Sequence, residues 1–235
     1  NEIERDLAKA IDNNELVLYY QPKIDLATGN VVGMEALIRW IKPDGTVVPP
    51  CNFIPVAEKS LLITKISHFV LYEACRQNKA WQDMGLAPIT VSINLTAIDF
   101  YQTNVTEVIS TALRETGLAP QWLDVELTES LALKDIDHAV AQMKEIKELG
   151  VKLSMDDFGT GYSSLSYIQI LPITVLKLDR SFIMYLEDDA ISREIVSAVI
   201  RIAKSKKIET IAEGIEEELQ EAYLKKCRCM IGQGY

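Results

Sequence analysis

The alternation of short β-branched runs with longer amphipathic stretches constrains the fold of this chain more than any other feature. The strand-like runs lie near residues 15–20, 31–40, 89–95, 122–128, 151–156, 173–179, 208–213 and 229–235. The helix-like stretches lie near residues 53–83, 96–116, 135–149, 190–206 and 216–226. About eight strands alternating with helices predict an α/β fold, the (β/α)8 or TIM-like barrel. A doubly wound open sheet is the structural alternative.

The connection between the first two strands departs from this alternation. Residues 27–30 read ATGN, a turn-like sequence too short for a helix. Such a connection indicates a hairpin, so we expect one early strand of the barrel to be antiparallel. No linker rich in Pro, Gly or Ser divides the 235 residues, and we expect one domain over residues 1–235. Because residue 1 is Asn, we expect this domain to be part of a longer protein.

Composition narrows the possible partners and compartments. The formal net charge of -10 argues against binding to nucleic acid polymers, which requires a basic surface. The four cysteines show no CxxC pair or dense spacing, which indicates reduced thiols and a cytoplasmic domain. No apolar run is long enough to span a membrane, so we expect no membrane contact by this domain. A longer parent protein could still be anchored to the inner membrane.

Polar residues lie within or at the end of each predicted strand from the second onward. They are Glu35, Arg39, Asn94, Glu126, Asp156, Asp157, Lys177, Asp179, Glu213 and Gln233. In a parallel barrel the carboxyl ends of the strands share one mouth, where barrel enzymes hold their reactive groups. Each residue could instead have a local structural role, as a turn, a helix cap or an ion-pair partner. Their coincidence at successive strand ends favours one shared site.

The charge at this mouth suggests metal ions. Five of these residues, Glu35, Glu126, Asp156, Asp157 and Glu213, give five negative charges, and Lys177 offsets one of them. The remaining four would repel one another. Two divalent cations would cancel them, and hard oxygen ligands without His or Cys indicate Mg²⁺ or Mn²⁺. Two-metal sites of this kind catalyse displacement reactions at phosphorus. The looser coordination of Ca²⁺ predicts that it binds but inhibits.

Several sequence blocks match one protein family in order. They are YYQP at 19–22, EALIRW at 35–40, FIPVAE at 53–58, INLT at 93–96, ELTES at 126–130, DDFGTGYSSL at 156–165, LKLDRSFI at 176–183, AEGIE at 212–216 and QGY at 233–235. Over its whole length the chain resembles the EAL domain family of bacterial c-di-GMP phosphodiesterases. The resemblance implies metal-dependent hydrolysis of c-di-GMP to linear 5′-pGpG. The alternative is a catalytically silent domain that binds c-di-GMP as a receptor.

The resemblance also implies a role for each site residue. The implied metal ligands are Glu35, Asn94, Glu126, Asp156 and Asp157. The implied catalytic residues are Lys177 and Glu213, either of which could be the general base, and Glu129, which would brace the loop through the turn at 159–161. The implied substrate-binding residues are Gln21, Arg39, Asp179, Glu216 and Gln233.

The resemblance implies partners as well, and two features depart from the family pattern. Implied partners are the substrate, a second copy in a homodimer, and sensory or GGDEF-type domains upstream in the parent chain. Leu61 occupies a position where the family usually has Gly, and we expect an effect on packing alone. The chain stops at Tyr235, within the last predicted strand, and we expect this to weaken closure of the barrel.

Overall fold

The computed structural model of the protein describes residues 2–102, 104–159 and 167–234, with the side chains of residues 2 and 102 left undescribed. The strands are β1 (Leu16–Asp25), β2 (Val31–Ile41), β3 (Val47–Val48), β4 (Thr90–Asn94), β5 (Leu123–Thr128), β6 (Lys152–Phe158), β7 (Val175–Leu178), β8 (Glu209–Ile215) and β9 (Ile231–Gly234). The position of each predicted strand is therefore confirmed within a few residues up to residue 234, and Tyr235 lies outside the described residues.

The strands close into a barrel. Around the ring, β2 is followed by β4, β5, β6, β7, β8 and β9, and all six of these neighbouring pairs are parallel. Strand β1 completes the ring and runs antiparallel to both β2 and β9. The short β3 pairs with the end of β2. The predicted barrel and its antiparallel early strand are confirmed, and the pairing of β1 with both neighbours rules out an open sheet.

Helices surround the barrel. They are α1 (Glu2–Asp12), α2 (Pro50–Lys59), α3 (Leu62–Asp83), α4 (Ala97–Gln102), α5 (Val105–Thr116), α6 (Glu129–Lys134), α7 (Ile136–Glu148), α8 (Tyr167–Ile170), α9 (Arg180–Ile183), α10 (Ala190–Ser205) and α11 (Glu218–Lys226). Several begin where a side-chain oxygen accepts a hydrogen bond from a backbone N–H of the first turn. Asn104, Thr128, Asp135 and Asp189 do this for α5, α6, α7 and α10. Such caps satisfy N–H groups that lack partners within the helix.

The hydrophobic core lies between the outer face of the barrel and the inner faces of the helices. In α10 the buried residues are Val196, Val199, Ile200 and Ala203, at the three- and four-residue steps of one helix face. All four cysteines carry free thiols, and two of them, Cys75 and Cys229, are buried in this core. In the described part of the chain, every helix is too short or too polar to cross a membrane.

The stretch predicted at 53–83 forms two helices, because the chain turns at Leu61. Leu61 has a φ of 59° and directly precedes α3. Its side chain is 64% exposed, so our expectation of a packing effect at this position was wrong. The difference from glycine instead concerns the backbone, since a side chain disfavours the left-handed conformation that glycine adopts freely.

Strand β1 is longer than predicted, since it continues from residue 20 to Asp25. Proline interrupts a backbone hydrogen-bond ladder, and a strand containing it is usually assumed to end there. Here Pro22 lies opposite Met34 within the paired region. The extension places Gln21 and Lys23 in the barrel wall.

Candidate active site

One polar side chain from each of the eight barrel strands joins a connected set of contacts at the mouth. We call this set the mouth network; in chain order it consists of Gln21, Glu35, Asn94, Glu126, Asp156, Lys177, Glu213 and Gln233. Glu35 Oε1 accepts a hydrogen bond from Asn94 Nδ2 at 2.7 Å, and Glu35 Oε2 accepts one from Gln233 Nε2. Gln233 Nε2 also donates to Gln21 Oε1 at 3.0 Å. The barrel therefore brings together residues that are up to 212 positions apart in the sequence.

Lys177 lies at the centre of the mouth network. Its Nζ is 2.7 Å from Glu126 Oε2, 2.8 Å from Glu213 Oε1, and 3.3 Å from both Glu35 Oε2 and Asp156 Oδ1. Lys177 is only 1% exposed, and the side chain of Glu126 is fully buried. One ammonium group thus faces four carboxylates, which leaves a net negative charge.

The close approach of these charged groups shifts the pKa values of Asp156 and Lys177. Burial, together with the nearby carboxylates of Glu213 and Glu126, raises the pKa of Asp156 to about 7 against the opposing effect of Lys177. Burial would lower the pKa of Lys177, but the carboxylates around it outweigh burial and raise that pKa above its ordinary value. Strongly perturbed carboxylates in a barrel mouth are typical of functional sites.

A β-bulge at the end of β6 turns two consecutive carboxylates toward the mouth. The pairing of β6 with β7 shifts register between Met155 and Phe158. Asp157 has a φ of 54°, and its backbone N–H donates to Asp156 Oδ1 at 2.9 Å. An Asp in this left-handed conformation carries backbone strain, which is often stored at functional sites. Burial and the neighbouring Asp179 raise the pKa of Asp157.

Two observations show that this mouth suits divalent cations. Carboxylate oxygens of Asp156, Asp157 and Glu213 lie within 4.8 Å of one another, as ligands of a shared ion would. Gln233 Oε1 is buried and has no hydrogen-bond partner in the described part of the chain. Carboxylate and amide oxygens are the ligands that Mg²⁺ and Mn²⁺ prefer.

Comparison with known proteins identifies the family. The model of the EAL domain family matches residues 4–235. This chain belongs to the EAL domain family. It is 40% identical over 230 residues to the bifunctional diguanylate cyclase/cyclic di-GMP phosphodiesterase MucR of Pseudomonas aeruginosa, covering 98% of this chain and 34% of MucR. It is 37% identical over 234 residues to the cyclic di-GMP phosphodiesterase NbdA of the same organism, covering 100% of this chain and 30% of NbdA. This EAL domain therefore spans about a third of the length of these relatives.

Solved structures agree with this assignment. The structure of the PaMucR phosphodiesterase in complex with c-di-GMP has a TM-score of 0.93 and 39% sequence identity, covering 100% of this chain and 95% of that one. The FimX EAL domain of Pseudomonas aeruginosa bound to c-di-GMP has a TM-score of 0.90, covering 100% of this chain and 94% of that one. At 22% identity the FimX comparison shows the fold alone.

A buried carboxylate links the start of α6 to the loop after β6 in this EAL domain. Glu129 is buried at the start of α6, and its Oε2 accepts a hydrogen bond from Gly159 N at 2.9 Å. Gly159 has a φ of 97°, and a methyl group there would lie 1.9 Å from the ring of Phe182. The predicted contact of Glu129 with this turn is thus present at Gly159. The rest of the predicted loop, residues 160–165, lies outside the described residues.

The remaining predicted residues have partners of their own. Arg39 is half-buried, lies over the ring of Tyr19 at 5.6 Å and donates to Ile38 O. Asp179 caps α9 by accepting from Ser181 N at 2.9 Å. Glu216 is exposed and forms an ion pair with Arg180 at 2.7 Å. Their predicted roles in substrate binding stay predictions.

Sequence reasoning missed a second polar layer of the EAL domain, directly below the mouth. We call it the inner network; it consists of Lys23, Ser92, Asp124 and Ser154, all buried. Each lies two residues from a mouth residue on the same strand, and side chains two apart share one face of a strand. Applying this period to Glu126 and Asn94 would have found Asp124 and Ser92. Finding Lys23 also required knowing that β1 continues past Pro22.

Proposed function

We propose that this EAL domain hydrolyses c-di-GMP to linear 5′-pGpG with the help of two divalent cations. The mouth network carries the proposal, because it gathers carboxylates, amides and one ammonium from all eight barrel strands. Family membership, and the names of MucR and NbdA as c-di-GMP phosphodiesterases, support the same activity here.

The ligand set suits Mg²⁺ or Mn²⁺. Glu35, Asn94, Glu126 and Asp156 would hold one ion, and Asp156 and Asp157 the other. When bound, such ions neutralise charge on the phosphate and activate water at neutral pH. Activity should disappear in excess chelator and return with Mg²⁺ or Mn²⁺, whereas Ca²⁺ should bind without supporting turnover. Full activity in excess chelator would contradict this assignment.

The remaining residues position the reactants. Lys177, as an ammonium, would donate a hydrogen bond to the attacking water or to a phosphate oxygen. Glu213 is the most exposed of the four carboxylates around Lys177, at 21%, and we assign it the role of general base. Glu129 would hold the loop after β6 through Gly159. The forked guanidinium of Arg39 suits a substrate phosphate.

Substrate contacts extend around the rim. Gln21 and Gln233 would line the pocket between β1 and β9, and Asp179 and Glu216 would line the adjoining rim after β7 and β8. In the reaction, water adds to phosphorus, the bond to the 3′ oxygen breaks, and that oxygen leaves with a proton. The product then carries a 5′ phosphate and a free 3′ hydroxyl.

The product time course tests the proposal. Purified protein is incubated with c-di-GMP and Mg²⁺, and the products are followed by liquid chromatography and mass spectrometry. We expect pGpG to accumulate, with GMP late or absent, because the opened ring no longer holds its second phosphate against the metals. If GMP rises in step with substrate loss without pGpG, the assignment is wrong. Binding of c-di-GMP without any conversion would instead identify a receptor domain.

Assembly and context are part of the proposal. We infer a single domain over residues 1–235, cytoplasmic and joined to sensory or GGDEF-type domains in a longer chain, because it spans about a third of MucR and NbdA. We also infer a homodimer formed near the loop after Asp157. Light scattering at high protein concentration checks this inference, and a fully active sample that is entirely monomeric would refute any requirement for the dimer.

A further inference from the structure

The inner network touches the mouth network at a single buried carboxylate, Glu126. Lys23 Nζ donates to Glu126 Oε1 at 2.6 Å from inside the barrel, while Lys177 Nζ lies 2.7 Å from Glu126 Oε2 on the mouth side. Glu126 therefore lies between two ammonium groups that come from strands β1 and β7. Each ammonium contacts a different oxygen, so the contacts fix the rotation of the carboxylate.

Lys23 is itself held on several sides. Its Nζ donates to Ser92 Oγ at 2.6 Å and lies 3.7 Å from Asp124 Oδ2. Asp124 in turn accepts from Ser92 Oγ at 2.8 Å and from Ser154 Oγ at 2.6 Å. Lys23 is 4% exposed and Asp124 is 2% exposed, so both side chains are buried. A buried network whose members are hydrogen-bonded to one another holds them in one geometry.

The barrel wall leaves room for the stem of Lys23. Lys23 lies opposite Gly33 across the antiparallel pair of β1 and β2. A methyl group at position 33 would lie 3.6 Å from Lys23 Cδ and 3.3 Å from the Thr90 carbonyl oxygen. The stem of Lys23 therefore packs over Gly33, at a distance where a methyl group would make ordinary van der Waals contact.

We propose that Lys23 is a positioning residue, which orients the Glu126 carboxylate from below so that its other oxygen faces the metal site. This inference rests on the proposed function, since it assigns Glu126 to a metal ion. Lys23 contacts the proposed metal ligand Glu126 and would act through it. Groups that orient a metal ligand in this way typically contribute about 10- to 100-fold to metal affinity.

The positive charge of Lys23 has the opposite effect on metal affinity. An ammonium near a cation site repels the cation, so removal of Lys23 could tighten metal binding. However, Lys23 is accompanied by the Asp124 carboxylate at 3.7 Å, and the pair contributes little net charge to the mouth. We therefore expect the loss of orientation to outweigh the loss of repulsion.

Three variants separate the hydrogen bond between Lys23 and Glu126 from the charges of Lys23 and Asp124. Lys23→Met keeps the length of the side chain but leaves Asp124 without its cation. Lys23→Met combined with Asp124→Asn keeps the net charge unchanged, and Asp124→Asn alone keeps the contact between Lys23 and Glu126. Lys152→Met is the matched control, because Lys152 lines the same cavity of about 330 Å³ near Lys23, where its Nζ donates to Thr90 Oγ1.

Two measurements are made on each variant. Urea unfolding reports whether the fold is retained, and Mn²⁺ titration followed by electron paramagnetic resonance reports metal affinity. We expect the double variant to keep a cooperative unfolding transition, at a lower midpoint than the parent, and to bind Mn²⁺ at least about tenfold more weakly than the Lys152→Met control. Asp124→Asn alone should bind Mn²⁺ more tightly than the double variant.

Turnover adds a readout that a purely structural role would not change. The Mn²⁺ concentration for half-maximal activity should rise with the dissociation constant, while KM for c-di-GMP at saturating Mn²⁺ stays within about twofold of the parent. Mn²⁺ binding within about threefold of the control, or tighter than the control, would overturn the proposal. Failure of both Lys23 variants to fold would assign Lys23 a structural role instead.

The two proposals fail in different ways. If the proposed hydrolysis is wrong, the parent protein itself converts no c-di-GMP, while Mn²⁺ titration of the variants still reports on Lys23. If the role of Lys23 is wrong, the parent is active and the double variant binds Mn²⁺ as the control does.

Discussion

Replacement of Lys177 by methionine tests whether a single ammonium holds the four central carboxylates together. Methionine keeps most of the buried stem but removes the charge, leaving Glu35, Glu126, Asp156 and Glu213 facing one another. Removing one partner of a buried ion pair typically lowers the free energy of unfolding by about 3–5 kcal/mol. Glu126 retains Lys23, and the side chain of Glu213 is 21% exposed. We therefore expect a loss within that range, at pH 8 in chelator.

The loss should depend on pH in a defined direction. Burial raises the pKa values of Asp156 and Glu213 above their ordinary values, and Lys177 opposes this, so removal of the ammonium should raise both pKa values further. Between pH 8 and pH 6 the folded variant therefore holds more protons, relative to its unfolded chain, than the folded parent does. The difference in the free energy of unfolding between parent and variant should become smaller as pH falls. Each additional proton bound by the folded state contributes up to about 1.4 kcal/mol per pH unit.

Urea unfolding of parent and variant at pH 8 and pH 6, with and without Mg²⁺, measures these effects. We expect Mg²⁺ to recover much of the lost stability, because divalent cations would replace the missing positive charge. Met184→Leu is a matched control, since Met184 is exposed beside α9. Two results would contradict this prediction. One is a loss in free energy of unfolding below about 1 kcal/mol at pH 8 in chelator, and the other is a difference between parent and variant that is no smaller at pH 6 than at pH 8.

Three further predictions concern separate features. Because the pKa of Asp156 is raised to about 7, binding of Mn²⁺ below that pH should displace a proton from this carboxyl group. The affinity for Mn²⁺, measured by calorimetry, should therefore fall up to about tenfold per pH unit below pH 7. An affinity that is constant between pH 5.5 and pH 7 would contradict this. Gly159→Ala places a methyl group 1.9 Å from the Phe182 ring, whereas Gly45→Ala has a similarly positive φ but open space. Gly159→Ala should therefore be less stable than the Gly45 control by about 1–3 kcal/mol in urea unfolding and should lose activity; equal stability would exclude the clash. Leu61→Gly should raise the free energy of unfolding by up to about 1 kcal/mol, because it relieves the left-handed conformation at some cost in chain entropy, and a decrease would show that φ is not the controlling factor.

The barrel and most of its mouth could be predicted because they depend on local patterns. β-branched runs locate strands, and a polar residue near a strand end lies at the barrel mouth whatever the details of packing. Glu35, Glu126 and Lys177 were found in this way. The short ATGN turn at residues 27–30 was enough to predict one antiparallel early strand, because so short a connection excludes a crossover.

The features that were missed depend on contacts between distant strands. Pro22 hides the continuation of β1, and Lys23 is recognisable as an internal residue only when β1 is known to continue past Pro22. The break at Leu61 was missed because apolar spacing continues across residues 60–62. The direct contact of Lys177 with four carboxylates likewise depends on the register of the barrel, which no single strand specifies.

The closure of the barrel by β1 and β9 determines when the site can exist during synthesis of the chain. Gln233 on β9 contacts Gln21 and Glu35, which are 212 and 198 residues earlier. Contacts of such high sequence separation form late and slow folding, because a long loop must be ordered before they can stabilise it. Glu35 therefore lacks one of its partners until almost the entire domain has left the ribosome. A nascent EAL domain can therefore contain most of its mouth residues before its pocket is complete. The pocket is completed only when the last strand, β9, joins the barrel.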